Sequence, residues 1–275
     1  MTNIDEEYRG LLSAILNGGA EKKDRTGTGT RSIFGRTIEH DMRLGFPLLT
    51  TKFVSFKCAK TEMRWILNGR TDIKFLNDNG VKYWNPDYKR SGRTDGTLGK
   101  IYGYQWRNFN GVDQIKKLLQ TINSNPDSRR MLVSAWNPGD FGDMSLPPCH
   151  DSFQIYINEG KMDLLWRQRS VDVFLGLPYD IAMYGLLLEM IAAETNYEPG
   201  KLIGQLGDCH LYNNHLEQAK IQLFRTPKAL PKINIKEGLK LRYGAANFVY
   251  VPLDKDIELI GYEPHPKIEA KLSVG

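Results

Sequence analysis

The sequence predicts a single domain that mixes helices with strands, of class α+β or α/β. Several segments repeat apolar residues at helical spacing, and residues 181–193 are apolar nearly all round, which is typical of a buried central helix. Other segments are short apolar runs of strand length that do not alternate strictly with polar residues. The chain has 275 residues, enough for a large core, and no repeat or linker divides it, so we expect residues 1–275 to fold together.

Composition and charge narrow the class of protein. The net charge of +5 fits the binding of small anions such as phosphates, and without a basic stripe nucleic-acid binding is not expected. The three cysteines suit neither a disulfide framework nor a metal site, which predicts a reducing, cytoplasmic setting (that of the host, if the protein is viral). No apolar run is long enough for a membrane span, and the N-terminus lacks the pattern of a signal peptide.

The N-terminal part is predicted to contain two helices and a loop rich in glycine and threonine. Residues 4–16 carry an apolar stripe at helical spacing that ends at two glycines. The loop, residues 22–30, precedes a strand at 31–35. Its basic residues could bind a phosphate, or it could be a flexible connection, and it lacks the spacing of a Walker loop. The second helix, residues 53–67, carries Glu62 among apolar neighbours.

The middle of the chain begins with a polar stretch, residues 85–100, which we expect to be exposed. A helix at 112–122 then precedes Arg129 and Arg130, which stand at the entrance of a strand at 131–136. Two adjacent arginines there could grip a phosphate bidentately, or they could be solvated surface residues.

A lone cysteine stands in the stretch 145–154. Two prolines precede Cys149 and stiffen the chain, and His150 follows it at the start of a strand at 153–157. Cys149 could be a nucleophilic thiolate held in one place, or a buried thiol that acts as a small apolar residue. The segment 161–167 is predicted to pair with this strand as a hairpin.

The C-terminal part is organised around the central helix. Asp180 stands directly before this helix and could be its N-cap. Strands are predicted at 233–235 and 257–262. Between them and the central helix lies an amphipathic helix whose apolar face comprises Leu216, Ala219, Leu223 and Phe224.

Motifs spread from the first helix to residues 264–266 resemble the thymidylate synthase family in order and spacing. They are Asp24-Arg-Thr-Gly-Thr-Gly29, Pro126-Asp-Ser-Arg-Arg130, Pro148-Cys-His150, Gln168-Arg-Ser170, Asp172-Val-Phe-Leu-Gly-Leu-Pro178 and Gly207-Asp-Cys-His-Leu-Tyr212. One such motif would be weak, but the whole set in register is specific. The resemblance implies an α+β fold in which a large mixed β-sheet packs against helices, including a long buried central helix, and a homodimer that forms through the sheet.

The resemblance also implies catalytic roles. Cys149 resembles the thiolate that adds to C6 of the pyrimidine and so makes C5 a nucleophile. Glu62 is similar to the carboxylate that organises water and proton transfers, and Tyr102 to the tyrosine that handles a proton near C5. His150, which follows the cysteine, is expected to face the 4-substituent of the base in either its neutral or its charged form.

Arginines dominate the implied phosphate site. Arg25 and Arg169 resemble a phosphate clamp, with Ser170 as a further ligand. Arg129 and Arg130 resemble the pair that the other subunit donates, which requires a homodimer. Because guanidinium groups stabilise negative charge, these arginines are expected to lower the pKa of the nearby cysteine thiol.

Two further groups of residues match ligand contacts of the family. On the nucleotide side they are Gln168, His210 and Tyr212, of which the last two resemble ligands of the deoxyribose 3′-hydroxyl. For the cosubstrate 5,10-methylenetetrahydrofolate they are Asp172 at the pterin, Trp84 as an aromatic wall, Lys52 facing the glutamate tail, and Leu146. No metal is implied.

Asp180 departs from the family pattern, which has asparagine after Leu-Gly-Leu-Pro-Phe/Tyr. That asparagine reads uracil, whose N3–H donor stands beside an O4 acceptor, whereas cytosine presents an N3 acceptor beside an N4 amino donor. A protonated carboxylic acid complements cytosine, as does a carboxylate with N3-protonated cytosine. An ionised Asp180 that faces O4 of uracil would instead put two acceptors together in a dry pocket, and such a buried mismatch can discriminate by about 10⁴-fold. Asp180 therefore favours dCMP over dUMP and is typical of deoxycytidylate hydroxymethylases.

Alternative activities remain open within and outside the family. A dCMP methyltransferase would release dihydrofolate, and a thymidylate synthase tolerating Asp180 would use dUMP. A hydroxymethylase would instead add water to the methylene intermediate at C5 and give 5-hydroxymethyl-dCMP. The C-terminal tail favours this outcome, because Lys271 replaces the family's proline and Gly275 extends the end, and a looser lid admits water. A zinc deaminase of dCMP is disfavoured because Pro148-Cys-His-Asp-Ser152 lacks the second cysteine that zinc needs.

Overall fold

A computed structural model describes residues 3–235, 242–243, 249–250 and 256–273. Its helices are α1 (Ile4–Gly18), α2 (Phe56–Leu67), α3 (Ile73–Asp78), α4 (Asn85–Arg90), α5 (Tyr102–Asn108), α6 (Gln114–Ser124), α7 (Leu177–Thr195) and α8 (Leu216–Leu223). Its strands are β1 (Ala20–Lys22), β2 (Thr30–Asp41), β3 (Leu132–Ser134), β4 (His150–Asn158), β5 (Lys161–Asp172), β6 (Glu198–Tyr212), β7 (Lys232–Ile235), β8 (Arg242–Tyr243), β9 (Val249–Tyr250) and β10 (Ile257–Ile260). No helix in the described part is long and apolar enough to cross a membrane.

One large mixed sheet dominates the fold. Its strand order is β1-β2-β6-β5-β4-β3, with β5 and β6 parallel and every other neighbouring pair antiparallel. The parallel pair needs a crossover connection, and α7 provides it. This mixed sheet with packed helices confirms the predicted α+β class.

Helix α7 is the predicted central helix, extended at both ends beyond residues 181–193. Nearly all of its side chains are buried. It ends at Asn196, which adopts the left-handed conformation (φ 59°) that terminates many helices. Tyr184 of this helix stacks on Trp166 of β5 at a centroid distance of 5.4 Å, so the helix lies directly on the sheet.

Two glycines in helices allow a test of how tightly α7 is packed. A Cβ added at Gly185 would lie 2.5 Å from Cγ of Pro47, a rigid ring, whereas a Cβ at Gly10 of α1 would meet nothing within 4 Å. Alanine gains roughly 1 kcal/mol over glycine from helix propensity, but overpacking costs about 1–3 kcal/mol. We expect Gly185→Ala to lower the free energy of unfolding in urea and Gly10→Ala to raise it by about 0.5–1 kcal/mol. Equal effects of the two substitutions would contradict this packing.

Several elements were predicted with the correct secondary structure but with bounds that differ by a few residues from those in the structure. The hairpin of β4 and β5, the first helix and the two late strands are confirmed. The stretch 85–100 is only partly an excursion, because it contains α4 and the fully buried Leu98. Phe224 was wrongly placed on an apolar helix face: α8 ends one residue earlier, and Phe224 is 90% exposed. The 15-residue strand β6 was missed, and the motif at 207–212 that forms its end was not predicted to be a strand.

Candidate active site

The backbone of Cys149 is held on both sides. Its N–H donates to the hydroxyl of Tyr102 (2.8 Å), and its carbonyl accepts from the backbone N–H of Arg169 (2.9 Å). The Arg169 guanidinium donates to the carbonyls of Pro148 (2.8 Å) and Pro147 (3.0 Å), and it lies over the ring of Trp136. Arg169 therefore fixes the proline segment that presents the thiol, in addition to the phosphate role predicted for it.

The pKa of the Cys149 thiol does not move as expected within one chain. Burial raises this pKa to about 11, Arg169 opposes the rise, and Asp180 adds to it. Arg25, Arg129 and Arg130 are all exposed in the single chain, where they do not offset the burial. The predicted lowering of the thiol pKa includes arginines of a second subunit and stays a prediction. Only one of the expected guanidinium groups lies where it stabilises the thiolate.

His150 is neutral at pH 7. Burial lowers its pKa to about 3, and its Nδ1 pairs with the Tyr184 hydroxyl at 2.8 Å. The ring stacks on Tyr102, with centroids 4.1 Å apart and an interplanar angle of 15°. His150 and Tyr102 therefore form one rigid aromatic unit beside Cys149.

Asp180 lies in the first turn of α7, and the N-cap prediction for it is wrong. The cap position is Gly176, with no side-chain cap, while the Asp180 side chain is only 8% exposed and accepts a hydrogen bond from Nε2 of Gln168 (2.8 Å). Burial raises the pKa of Asp180 to about 7, and the Gln168 hydrogen bond acts against this rise. A proton is therefore available on this carboxyl near neutral pH.

Glu62 of α2 is a buried carboxyl with two donors. Tyr83 donates its hydroxyl to one oxygen, and Trp84 donates its indole N–H to the other (2.6 Å). Burial raises the pKa of Glu62, and these two hydrogen bonds act in the opposite direction. The sequence did not single out Tyr83, since a tyrosine in a polar stretch gives no local signal. Trp84 contacts Glu62 directly, whereas its predicted role as a wall for the folate stays a prediction.

The basic residues predicted to bind phosphate lie in different settings. Arg25 is exposed on a loop that Asp24 shapes by accepting hydrogen bonds from the backbone of Thr26 and Gly29. Arg129 and Arg130 are exposed on the turn after α6. Within one chain, the structure brings Arg169 to Cys149, while the exposed pair is free to reach outside the chain.

The ends of β5 and β6 place further predicted residues side by side. Asp172 and His210 are direct partners in the parallel pairing of these strands, and the rings of His210 and Tyr212 meet edge to face at 5.2 Å. One oxygen of Asp172 accepts from the backbone N–H groups of Phe174 and Leu175 (3.1 Å each). This leaves its second oxygen, Oδ2, as a possible ligand acceptor.

Lys52 is buried rather than turned outward. Its ammonium donates to the carbonyl of Phe174 and lies 3.7 Å from the centre of that ring. Burial lowers the pKa of Lys52 to about 7, and Asp172 opposes this shift. Contact of Lys52 with a folate tail therefore stays a prediction. Leu146 is half-buried against the core.

The C-terminal tail is anchored through residue 273. The carbonyl of Lys271 pairs with Nε2 of His215 (2.7 Å) and accepts from Asn214 (3.3 Å), which in turn accepts from Ser273 (3.3 Å). A proline at position 271 would offer the same carbonyl, so the expected loosening by Lys271 has no support here. Gly275 lies outside the described residues.

Comparison with known proteins agrees with this geometry. The family model described as "Thymidylate synthase" matches residues 6–274. A protein of Mycoplasma mobile named "Thymidylate synthase" is 45% identical over an alignment of 98% of this chain and all of its own length. The chain belongs to the thymidylate synthase family, whose members transfer a one-carbon unit from methylenetetrahydrofolate to C5 of a pyrimidine nucleotide.

Proposed function

We propose that this chain acts on dCMP and forms 5-hydroxymethyl-dCMP. The observation that carries the proposal is the buried Asp180 carboxyl, whose pKa burial raises to about 7. A carboxylic acid that holds its proton near neutral pH donates to N3 of cytosine and accepts from the N4 amino group. Facing uracil, the same group in its ionised form would put two acceptors together in a buried pocket.

Cys149 is the proposed nucleophile. Its thiolate attacks C6, which converts the unreactive ring into a carbon nucleophile at C5. A proton held at N3 by Asp180 stabilises the charge that develops on the ring. Because burial raises the thiol pKa to about 11 in one chain, the nucleophile needs further positive charge, and the exposed Arg129 and Arg130 of a second subunit would supply it.

The remaining polar residues are proposed to bind ligands and move protons. Arg25, Arg169 and Ser170 hold the phosphate, and His210 with Tyr212 holds the sugar hydroxyl. The Tyr102 hydroxyl, which accepts from the backbone N–H of Cys149, is the group proposed to handle the proton that leaves C5. Neutral His150 faces the 4-substituent without adding charge.

The residues present fit 5,10-methylenetetrahydrofolate, which would supply the one-carbon unit. Trp84 and half-buried Leu146 offer apolar surface, and Oδ2 of Asp172 can accept from a pterin N–H. When tetrahydrofolate departs and C5 loses its proton, an exocyclic methylene carbon remains at C5 and water adds to it, with Glu62 proposed to accept the proton of that water. The two donors to Glu62, Tyr83 and Trp84, hold it in place. The C6–S bond to Cys149 then breaks as the C5–C6 double bond forms again, which releases 5-hydroxymethyl-dCMP and the thiolate.

A second candidate is methylation of dUMP to dTMP. The name of the Mycoplasma mobile relative and its 45% identity favour this activity. Methylation of dCMP, with release of dihydrofolate, is the third outcome to separate, since the tail is anchored through Ser273 and gives no support for extra water entry.

One experiment separates these activities. The protein is incubated with methylenetetrahydrofolate and either dCMP or dUMP, and the product is weighed by mass spectrometry while dihydrofolate is followed by absorbance. We expect a hydroxymethyl group on dCMP without dihydrofolate. Turnover of dUMP alone would refute the role given to Asp180, and a methyl group with dihydrofolate would refute hydration.

We further propose that two copies pair through the outer face of the sheet. Leu132, Gln154, Leu165 and Ile203 form one cross-strand row on this face. Tyr156 shares the face, and it is 61% exposed. Phe153 and Trp166 point to the other face, against Tyr184 of α7. Leu132 is also exposed, and Leu165 and Ile203 are half-buried, so this face keeps apolar surface in contact with solvent. Such surface on a broad sheet is typical of a subunit interface.

Mixed dimers test the exchange of arginines between subunits. Cys149→Ala chains and Arg129→Ala/Arg130→Ala chains should each be nearly inactive alone. Refolded together, random pairing should restore about a quarter of the wild-type sites, because one site of each mixed dimer has an intact cysteine and intact partner arginines. Mixing Cys149→Ala with Arg169→Ala is the control and should restore nothing, since both residues serve the same site. No recovery in the first mixture would contradict the proposal.

A further inference from the structure

We propose that Trp166 is a positioning residue that sets the preference for cytosine by fixing the side-chain amide of Gln168 against Asp180. Trp166 touches no substrate in this scheme. The inference rests on the proposed use of dCMP and adds a residue to which neither the motifs nor the family resemblance drew attention.

The first step concerns the orientation of the Gln168 amide. An indole N–H only donates, and Nε1 of Trp166 lies 3.2 Å from Oε1 of Gln168. The amide nitrogen of Gln168 donates to the carbonyl of Ser170 (3.2 Å) and to Oδ2 of Asp180 (2.8 Å). A flipped amide would place two donors together at Trp166 and two acceptors together at Ser170. The buried surroundings make both mismatches unfavourable.

The second step concerns the two oxygens of Asp180. Because Gln168 donates to Oδ2, this oxygen is an acceptor, and a proton on the carboxyl must reside on Oδ1. The acid then presents a donor and an acceptor side by side, which is the pair that cytosine N3 and its N4 amino group require. If the amide of Gln168 were flipped, Oδ2 would hold the proton toward Gln168. Oδ1 would then be an acceptor, which suits the N3–H of uracil.

The third step concerns the rigidity of Trp166. The indole is fully buried and stacks on Tyr184 with an interplanar angle of 11°. A Cβ at Gly204 of the neighbouring strand would lie only 2.5 Å from the ring, so the indole fills the space that this glycine leaves. The N–H of Trp166 therefore cannot turn away from Gln168 without unpacking the sheet.

The test is Trp166→Phe, which keeps an aromatic ring and removes the indole donor. We expect the ratio of kcat/KM for dCMP to that for dUMP to fall by about 10-fold or more, as the loss of one buried hydrogen-bond constraint allows. Trp106→Phe is the matched control: Trp106 is also fully buried and packs on Phe153, yet it makes no hydrogen bond to Gln168 among the described residues. An unchanged ratio in both variants would overturn the inference.

Two further measurements keep the result interpretable. If Trp166→Phe does not fold, Gln168→Met removes the same constraint at its other end, and the ratio should again fall; an unchanged ratio there also counts against the inference. The wild-type protein is assayed first with both nucleotides. Wild-type turnover of dUMP alone refutes the proposed function, whereas a wild-type preference for dCMP that Trp166→Phe leaves intact refutes only the role of Trp166.

Discussion

Asp180→Asn is expected to change the preferred nucleotide from dCMP to dUMP, with a change of about 10²–10⁴-fold in the ratio of kcat/KM values. An asparagine amide can accept from N3–H and donate to O4 of uracil, but it never carries the acid proton that cytosine N3 requires. The Gln168 amide, which now donates to Oδ2 of Asp180, would donate to the oxygen of the new side chain and leave its NH₂ group for O4. One substitution thus inverts the pattern of donors and acceptors.

The pH dependence should change along with the preference. Burial raises the pKa of Asp180 to about 7, so the protonated form is lost as the pH rises through that value. The wild-type kcat/KM for dCMP should therefore fall above about pH 7. Other ionisable groups face this carboxyl, namely Glu62, Asp172, Cys149, Tyr102 and Tyr184. The dUMP activity of Asp180→Asn should lack the decline that Asp180 causes.

Steady-state kinetics with dCMP and with dUMP measures the change in nucleotide preference that Asp180→Asn is expected to cause. Asp78→Asn is a suitable control, because Asp78 is an exposed partner of Lys74 and the same chemical change there should leave the ratio unaltered. If Asp180→Asn kept the wild-type preference, the base would have to be read by another residue.

The sheet shows why part of the fold could be predicted and part could not. Helix α7 was predicted because a long segment that is apolar on every side, in a chain of ordinary globular composition, indicates a buried helix. Strand β6 was missed because its residues include Gly200, Gly204 and Gly207, which local propensity counts against a strand. Gly204 is nonetheless required there, since the ring of Trp166 occupies the space of a side chain. The need for glycine at this position comes from a contact between two strands that are far apart in sequence. A local sequence pattern carries no information about such a contact.

The functional site, like the fold, contains residues that the sequence identified and residues that it did not. The family resemblance assigned roles to residues in motifs, and the structure brings the half-buried Cys149 and Arg169 close to the buried Gln168 and Asp180. The resemblance gave no role to Trp166. A clue was nevertheless present, because Trp166 stands two residues before Gln168 and residues two apart on a strand share a face. The expected lowering of the thiol pKa stays a prediction, because arginines that are predicted to act across an interface cannot act within a single chain.

Cys149→Ala is expected to abolish turnover, by at least about 10⁴-fold, because no other group can add to C6 and the ring then stays a poor nucleophile. Nucleotide binding should persist, since the phosphate and base contacts do not involve the thiol. Binding can be measured by calorimetry, and the chemistry by release of tritium from C5 of labelled dCMP.

The tritium measurement separates nucleophilic attack from a merely structural role. Exchange at C5 requires the C6 adduct, so Cys149→Ala should show none even while it binds dCMP normally. Cys209→Ala and Cys58→Ala provide matched controls with one fully buried and one half-buried thiol outside the site, and both should retain activity. Because the backbone of Cys149 is held by Tyr102 and Arg169, alanine should occupy the same position without disturbing the loop. Tritium release by Cys149→Ala at a wild-type rate would assign the attack on C6 to another residue.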